Sequence, residues 1–541
     1  MTNISYMKKN FKDLTQADIE YIKALYYSGV SHNEKIDLLS DRFKVVGRTI
    51  RAWWQRLQLG DSDSIGLPTA LKKAVRREIP EDADILLVTS AQNKTVVNGP
   101  MLKNMKAYCD FLLEEFGLIA YIVVIPARYR NPTSPVEDNG SRADQWWDSH
   151  VTDMLYYNKL AFGDTMISAD SRVRPTANLP LNGYESMAGD NHLIIGHPRV
   201  HLKVLPRFKG EKLRVMTTTG FVTVKNYSRS KSGDKGFVHH SYGFVMLEKK
   251  KDGTCHAPRP VKVNGDGTFT DIRFQVENQQ VSLVKSCAGF VYGDIHHREM
   301  NVDKMKVSKK LVDLLNPEKV IFHDLFDGST VNPHEQDDLF IKKLKIRQGL
   351  NLIEEEVEES LNFLKEYRED YNGNIFVVQS NHDNFLDRYI NKFNWKTDLH
   401  NSDGYLKYAM IQQSVDLRES GNIFGYLIKD KFKGDITYLR SSDPLKINGY
   451  QCGFHGDYGV NGAKGNVTSF KNLNSKTITG HQHSPSLIDG CTVVGVSCNL
   501  WQYYNSSGMS SWSYADSIVS SSGKNQLIIY NDDDFSFTNL L

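Results

Sequence analysis

The chain has 541 residues, of which 40% are hydrophobic and 24% charged, a balance that excludes intrinsic disorder and predicts about three globular domains. The 66 basic and 64 acidic residues leave a net charge of +2, so any contact with DNA must be local, without a polycationic field to steer it. The six cysteines form no C-x-x-C pair, which argues against a zinc ribbon or a disulfide framework and fits a reducing cytoplasm. No signal peptide and no apolar run of ~20 residues is visible, so we predict a cytoplasmic protein without a membrane partner.

Residues 1–62 have the pattern of a helix-turn-helix domain. Apolar residues recur at helical spacing in three short segments, around Ile22, Leu39 and Trp53. The third segment would be the recognition helix, which enters the major groove of DNA in such domains. Its predicted DNA contacts are Arg48, Arg51 and Gln55. The alternative is a three-helix bundle with a solvated basic face, or a protein-docking domain.

Residues 80–285 are predicted to form an α/β to β-rich middle domain. Strand-like runs at 85–88 and 119–125 flank a helical pattern at 99–116, which is typical of a crossover unit in a parallel sheet. Short β-like runs follow from residue 192 onward. This block carries no motif with a readable chemistry, so its role stays open.

Residues 286–541 contain five apolar segments that each end in Asp, Asn or His. In order, the polar residues at these ends are Asp294 and His296; His323, Asp324 and Asp327; Asn381 and His382; His455; and His481 and His483. In an α/β sheet, ligands gather outside the carboxyl ends of the strands. Imidazole nitrogens mixed with carboxylate and amide oxygens suit Mn²⁺, Zn²⁺ or Fe²⁺ better than Ca²⁺. The residues are numerous enough for two ions.

The order Asp-x-His, Asp-x-x-Asp, Asn-His-Asp, His and Gly-His-x-His resembles the signature of the calcineurin-like metallophosphoesterases, and in particular their SbcD-like nuclease branch. The resemblance implies a two-sheet sandwich flanked by helices and two divalent ions, Mn²⁺ first, with Mg²⁺, Zn²⁺ or Fe²⁺ as alternatives. It assigns Asp294, His296 and His483 to one ion, Asn381, His455 and His481 to the other, Asp324 to both, His382 to catalysis and Asp327 to orienting His382. His323 and Ser380 stand where the family usually has glycine.

Two further segments of this domain give structural expectations. The apolar spacing of Leu350, Val357 and Leu364 predicts one long amphipathic helix. Its outer, solvated face would carry the acidic residues Glu354, Glu355, Glu356, Glu358 and Glu359. The serine-rich segment 506–522 is predicted to be a flexible surface loop.

The function favoured by these patterns is that of a metal-dependent DNA phosphodiesterase. The whole chain also resembles the pre-early proteins of large tailed phages that degrade host DNA, which would place it in the host cytoplasm. One alternative is a phosphomonoesterase or cyclic-nucleotide phosphodiesterase with a protein-docking N-terminal domain; another is a non-catalytic DNA-binding regulator. Endonuclease or exonuclease action, strand preference and homo-oligomer formation stay open.

Overall fold

The computed structural model describes residues 10–26, 32–57, 69–70, 77–127, 129, 146–169, 173–335, 338–393, 395–473, 475–502 and 505–541. Within them the α-helices are α1 Gln16–Tyr26, α2 His32–Phe43, α3 Gly47–Arg56, α4 Gly99–Phe116, α5 Glu185–Ala188, α6 Lys231–His239, α7 Val302–Leu315, α8 Leu339–Gln348, α9 Ile353–Asp370, α10 Asn384–Lys392, α11 Ser402–Ser414, α12 Leu417–Ser420, α13 Ile423–Phe432 and α14 Val467–Phe470. The strands are β1 Thr69–Ala70, β2 Ile85–Gln92, β3 Ala120–Ala127, β4 Trp146–Trp147, β5 Leu160–Phe162, β6 Thr165–Ser168, β7 His192–Ile195, β8 His201–Val204, β9 Val215–Thr218, β10 Gly243–Glu248, β11 Arg259–Lys262, β12 Phe269–Asp271, β13 Phe274–Glu277, β14 Gln280–Leu283, β15 Gly289–Val291, β16 Lys319–Phe322, β17 Asn374–Val378, β18 Ile436–Leu439, β19 Lys446–Ile447, β20 Tyr450–Gln451, β21 Lys476–Thr479, β22 Ser486–Ile488, β23 Cys491–Val493, β24 Ala515–Val519 and β25 Asn525–Ile529.

The chain is a mixed α/β protein and folds into two compact units. The first unit contains Met1–Val200, Thr217–Ser282 and Leu540. The second contains His201–Met216, Leu283–Asn539 and Leu541, so a short segment from the middle of the chain belongs with the C-terminal part. None of the helices in the described ranges is long and apolar enough to cross a membrane. The six cysteines are all free thiols.

In the first unit, α1, α2 and α3 form where the apolar spacing predicts helices. Thr15 and Asp18 cap α1 reciprocally, since each main-chain N–H donates to the other side chain, at 3.1 and 3.2 Å. The three helices share one apolar core that contains Ile22, Leu39 and Trp53.

The strand, helix and strand predicted for the middle of the chain are confirmed. β2 and β3 are parallel neighbours, and α4 connects them. Asn98 caps α4 by accepting from the N–H of Met101 at 3.1 Å, and Gly117 ends the helix at a φ of +67°. β10 and then β11 extend the same sheet on the other side of β2, both antiparallel.

The second unit contains two sheets. One has the order β18-β17-β16-β15-β24-β25, in which β15 to β18 are parallel. The other contains the strands β19, β20, β21, β23, β22 and β8 in that order. Residues of both sheets, among them Val291, Ile321 and Ile478, pack into one hydrophobic core. Because β15 to β18 are parallel, their carboxyl ends lie at the same edge of the sheet.

The long helix predicted from Leu350 onward was wrong at its beginning, and the prediction for Glu356 was also wrong. Leu350 lies before α9, and its N–H donates to Lys345 at the end of α8. Glu356 is fully buried, and its carboxylate accepts from the N–H groups of Ser329 and Thr330 at 2.8 and 2.9 Å. The partners of Glu356 are distant in sequence, so the residues around it do not distinguish it from a glutamate on the surface.

The prediction of a flexible loop over residues 506–522 was wrong as well. The segment contains β24, whose five residues are all buried between β15 and β25. Asp516 of this strand accepts from Lys304 Nζ at 2.6 Å and from the hydroxyls of Ser308 and Tyr530 at 2.7 Å each. The strand is polar in sequence because its polar groups find partners inside the protein.

Candidate metal centre

The five polar strand ends lie in the second unit and come from both of its sheets. Asp294 and His296 follow β15, Asp324 lies two residues after the neighbouring strand β16, and Asn381 follows β17. The other sheet supplies His455 after β20 and His481 and His483 after β21. Main-chain bonds join these loops: the N–H of His296 donates to Asp324 at 2.7 Å, and the N–H of Gly480 donates to His455 at 2.9 Å.

Four of the predicted ligands form a tight buried cluster. One ligand atom from each of Asp294, His296, Asp324 and His483 lies within 4.8 Å of the others. His483 Nε2 is 3.1 Å from Asp294 Oδ2 and 3.2 Å from His296 Nε2. Two carboxylates and two imidazoles that converge away from water form a donor set that could hold a metal ion.

Asp324 lies at the centre of the cluster. Its Oδ2 is 3.1 Å from His455 Nε2, 3.5 Å from His296 Nε2 and 4.0 Å from His483 Nε2. By hydrogen-bond geometry, neither of its carboxylate oxygens accepts from any group in the described ranges, and neither does Oδ1 of Asp294. Buried oxygens without partners are costly. A cation is the partner that this arrangement fits.

A second group of predicted ligands adjoins the first through Asp324. His455 is buried, and by geometry neither of its ring nitrogens forms a hydrogen bond with the part of the chain that the structure describes. Its ring centroid is 5.2 Å from that of His481, and His481 Nδ1 is 3.0 Å from Asn381 Oδ1. The structure thus brings together all seven of the predicted ligands.

The carboxylates and imidazoles of the cluster shift one another's pKa values. Burial alone would raise the pKa of the Asp324 carboxyl, but His455, His382 and His296 hold it well below the usual range. Burial lowers the pKa of His455 and His296, and the nearby carboxylates outweigh it and raise these pKa values to about 10 and about 9. The carboxylates are therefore held ionised, and a bound cation would replace protons on the imidazoles.

The main chain at four of the ligands adopts left-handed conformations, which residues other than glycine rarely adopt. The φ angles of His296, Asp324, His481 and His483 are +43°, +44°, +70° and +57°. Such left-handed residues cost free energy, and they cluster at functional sites where the surrounding fold holds them in place. The ligand geometry is therefore imposed by the fold.

Asp327 supports two histidines in different ways. Its carboxylate Oδ1 is 3.1 Å from His296 Nδ1, which leaves His296 Nε2 facing the cluster. Its main-chain carbonyl accepts from His382 Nδ1 at 2.6 Å, while its carboxylate is 3.9 Å from the same nitrogen. The structure thus connects Asp327 to His382 through the main chain and uses its side chain to fix the tautomer of His296.

Comparison with known proteins gives one curated relative that spans most of the chain. Protein A1 of Escherichia phage T5 is 28% identical over 468 residues, which cover 83% of this chain and 82% of that protein. The chain is similar to a phage protein. This similarity supports a phage origin. No model of a known protein family matches the chain, and no solved structure matches it.

His323 is a residue of the site to which the sequence patterns gave no role. It is fully buried, and neither ring nitrogen has a hydrogen-bond partner among the described residues. Burial and the neighbouring His455 lower its pKa to about 4, so the ring is neutral at physiological pH. One feature of the sequence could have indicated a role for His323. It directly precedes Asp324, at a position where the calcineurin-like family usually has glycine.

The predicted DNA contacts lie in the first unit. Arg48 and Gln55 belong to α3, but their side chains lie outside the described residues. Arg51 is half-buried, and both burial and the nearby Arg229 lower its pKa, while Asp37 raises it. Arg229 forms an exposed ion pair with Asp37 at 2.6 Å.

Proposed function

We propose that the chain is a metal-dependent DNA phosphodiesterase with the calcineurin-like metallophosphoesterase architecture. The observation that carries the proposal is the position of Asp324, whose buried carboxylate lies between two groups of ligands. A carboxylate in that place suits two cations that share it. The two-sheet core of the second unit, with ligands at the carboxyl ends of its strands, is consistent with the same architecture.

The residues divide between two ions as follows. Asp294, His296 and His483 would hold the first, Asn381, His455 and His481 the second, and Asp324 both. Mixed nitrogen and oxygen ligands suit Mn²⁺, Zn²⁺ or Fe²⁺, and the resemblance to the calcineurin-like enzymes puts Mn²⁺ first. The chemistry that such a pair supplies when bound is activation of a water molecule and polarisation of the phosphoryl group.

His382 is the residue proposed to manage the proton of the leaving group. Its Nδ1–H donates to the carbonyl of Asp327, which leaves Nε2 as the nitrogen that can carry a transferred proton. Burial lowers its pKa, and the negative charge of a bound phosphodiester would favour its protonated form. When the P–O bond breaks, the proton would pass from Nε2 to the leaving oxygen.

DNA is the proposed substrate for two reasons. α3 is the candidate recognition helix of the three-helix domain, and Arg48, Arg51 and Gln55 remain its proposed DNA contacts. The similarity to a phage protein agrees with degradation of host DNA during infection as the setting. If Arg48→Ala with Arg51→Ala leaves DNA affinity and its salt dependence unchanged, the role of α3 is refuted.

The test is cleavage of closed-circular and linear DNA with Mn²⁺, with Mg²⁺ or with EDTA. We expect metal-dependent loss of the DNA, abolished in His382→Ala although that variant still binds Mn²⁺. Asp324→Ala should bind less Mn²⁺ because it removes the shared ligand. Cleavage at the wild-type rate by either variant would refute the assignment.

The two alternative functions give different results in the same assay. Turnover of a phosphomonoester or a cyclic nucleotide with no DNA cleaved would replace the DNA proposal and keep the metal site. DNA binding without Mn²⁺ binding would favour a non-catalytic regulator.

A further inference from the structure

Helix α8 is apolar and cationic in composition, yet the structure buries none of its residues. Asp338 caps it by accepting from the N–H groups of Phe340 and Ile341, and Gly349 ends it at a φ of +71°. Between these two caps, none of the residues of α8 is buried. Phe340 is 85% exposed and Leu339 75% exposed. An isolated helix of this length is marginal in water, so a partner surface would stabilise it.

The helix is also cationic. Its charged residues are Lys342, Lys343, Lys345 and Arg347, and the sequence has no acidic residue between Asp338 and Glu354. Lys345 pairs with Glu335. Within the described part of the chain, the other three form no ion pair, which leaves three cations available on a short helix.

Contacts on both sides connect α8 to the candidate metal centre. Lys345 Nζ donates at 2.6 Å to the carbonyl of Ser329, in the short helix that follows Asp327. Before the helix, the ring of His334 lies 6.4 Å from that of Phe385, which is 4.6 Å from the ring of His382. The segment that carries α8 therefore lies on the His382 side of the site.

We propose that α8 binds substrate DNA beside the point of cleavage, with its three unpaired cations on backbone phosphates and Phe340 against an unpaired base. The inference rests on the proposed function, because it assigns that activity a second DNA contact in the catalytic unit. Phosphates are what such cations bind, and an exposed aromatic ring is a stacking surface that accepts any base. The acidic start of α9 repels DNA, which confines the strand to the cationic helix.

The decisive measurement is binding of a fluorescein-labelled oligonucleotide in EDTA, followed by anisotropy between about 50 and 200 mM salt. The test variant is K342Q/K343Q/R347Q. Each lost phosphate contact removes ~0.7–0.9 from the slope of log affinity against log salt, so we expect the slope to fall by about 2 to 3. The matched control is K306Q/K309Q/K310Q on α7, in which Lys306 and Lys309 already pair with Asp303 and Asp313.

Two further results complete the test. Turnover of bis(p-nitrophenyl) phosphate should be unchanged in the α8 variant, because none of the three substituted residues is a predicted metal ligand and this diester has no further phosphates to bind. Phe340→Ser should weaken binding of single-stranded DNA more than binding of duplex DNA.

An unchanged salt slope in the α8 variant overturns the inference and leaves the proposed function standing. Loss of small-diester turnover also overturns it, because the substitutions then act on the site itself. If Phe340→Ser instead converts an oligomer to a smaller species with DNA binding intact, the helix contacts a second copy of the chain. If the wild-type protein cleaves no DNA, the proposed function fails, and the slope in EDTA still decides the role of α8.

Discussion

Gly480→Ala should disable the candidate metal centre through a single methyl group. A Cβ at this position would lie 2.0 Å from Asp294 Oδ1 and 3.0 Å from the Cβ of His323. Real side chains do not approach this closely, so either the Asp294 carboxylate or the main chain at 480 must move. Asp294 cannot rotate freely, because its Oδ2 accepts from the N–H of His481 at 2.7 Å and lies 3.1 Å from His483 Nε2. Every way to relieve the clash therefore displaces a predicted ligand.

The expected size of the effect follows from this geometry. Overpacking in a buried site costs ~1–3 kcal/mol of folding free energy, and this cost appears in EDTA, without any metal. Displacement of a metal ligand should weaken Mn²⁺ binding at least as much as loss of an outer-shell partner, which costs ~10–100-fold. Activity should fall in parallel with metal occupancy.

The assay is titration calorimetry of Mn²⁺ into the metal-free protein, together with urea unfolding in EDTA. Gly508→Ala is the matched control, because a Cβ there meets nothing within 4 Å and the residue is exposed. If Gly480→Ala binds Mn²⁺ with wild-type affinity and unfolds like Gly508→Ala, the close packing of Gly480 against Asp294 does not hold the site in place.

Two other substitutions test the structure away from the ligands. Lys304→Met removes one partner of the fully buried pair with Asp516 and should cost ~3–5 kcal/mol in urea unfolding, while Lys306→Met, in an exposed pair, should change little. The stability of the fold should also depend on the protonation of His197, because burial lowers the pKa of this ring to about 4 and the folded state keeps it neutral. The contribution to stability is complete above pH ~6.5, the ordinary pKa of histidine, and is lost as the pH falls toward 4. The loss over that range is at most ~3 kcal/mol and should be absent in His197→Gln; parallel unfolding curves of variant and wild type against pH would contradict it.

The ligand-bearing loops were predictable because each one has a recognisable pattern in its own short stretch of sequence. An apolar run that ends in Asp, Asn or His can be read without any partner strand, and the spacing of Asp294 and His296 already places two ligands after one strand. The convergence of these loops then follows from the rule that ligands gather at the carboxyl ends of parallel strands, and β15, β16 and β17 are parallel neighbours in the structure. Helix α4 was predictable for the same reason, since the apolar residues of its one buried face recur at helical spacing within the helix itself.

The rest depends on pairing between distant segments. Glu356 lies in an acidic run that is typical of a solvated face, but the distant short helix at Ser329 supplies N–H donors to its buried carboxylate. β24 is polar in sequence because Lys304 and other distant donors satisfy Asp516. The strand β8 pairs with β22, at the far end of the chain, which no local pattern indicates. Asp327 supports His382 through a carbonyl, and no side-chain motif encodes that.

The long-range pairing of the second unit also bears on how the protein is made. The N–H of His481 reaches an Asp294 that was synthesised 187 residues earlier. A ribosome that adds ~5–20 residues per second needs on the order of 10–40 s for that distance. Strand β8 waits longer still for β22. A nascent chain that ends before His483 therefore has no complete ligand set, and the proposed hydrolytic activity can arise only after that residue has emerged.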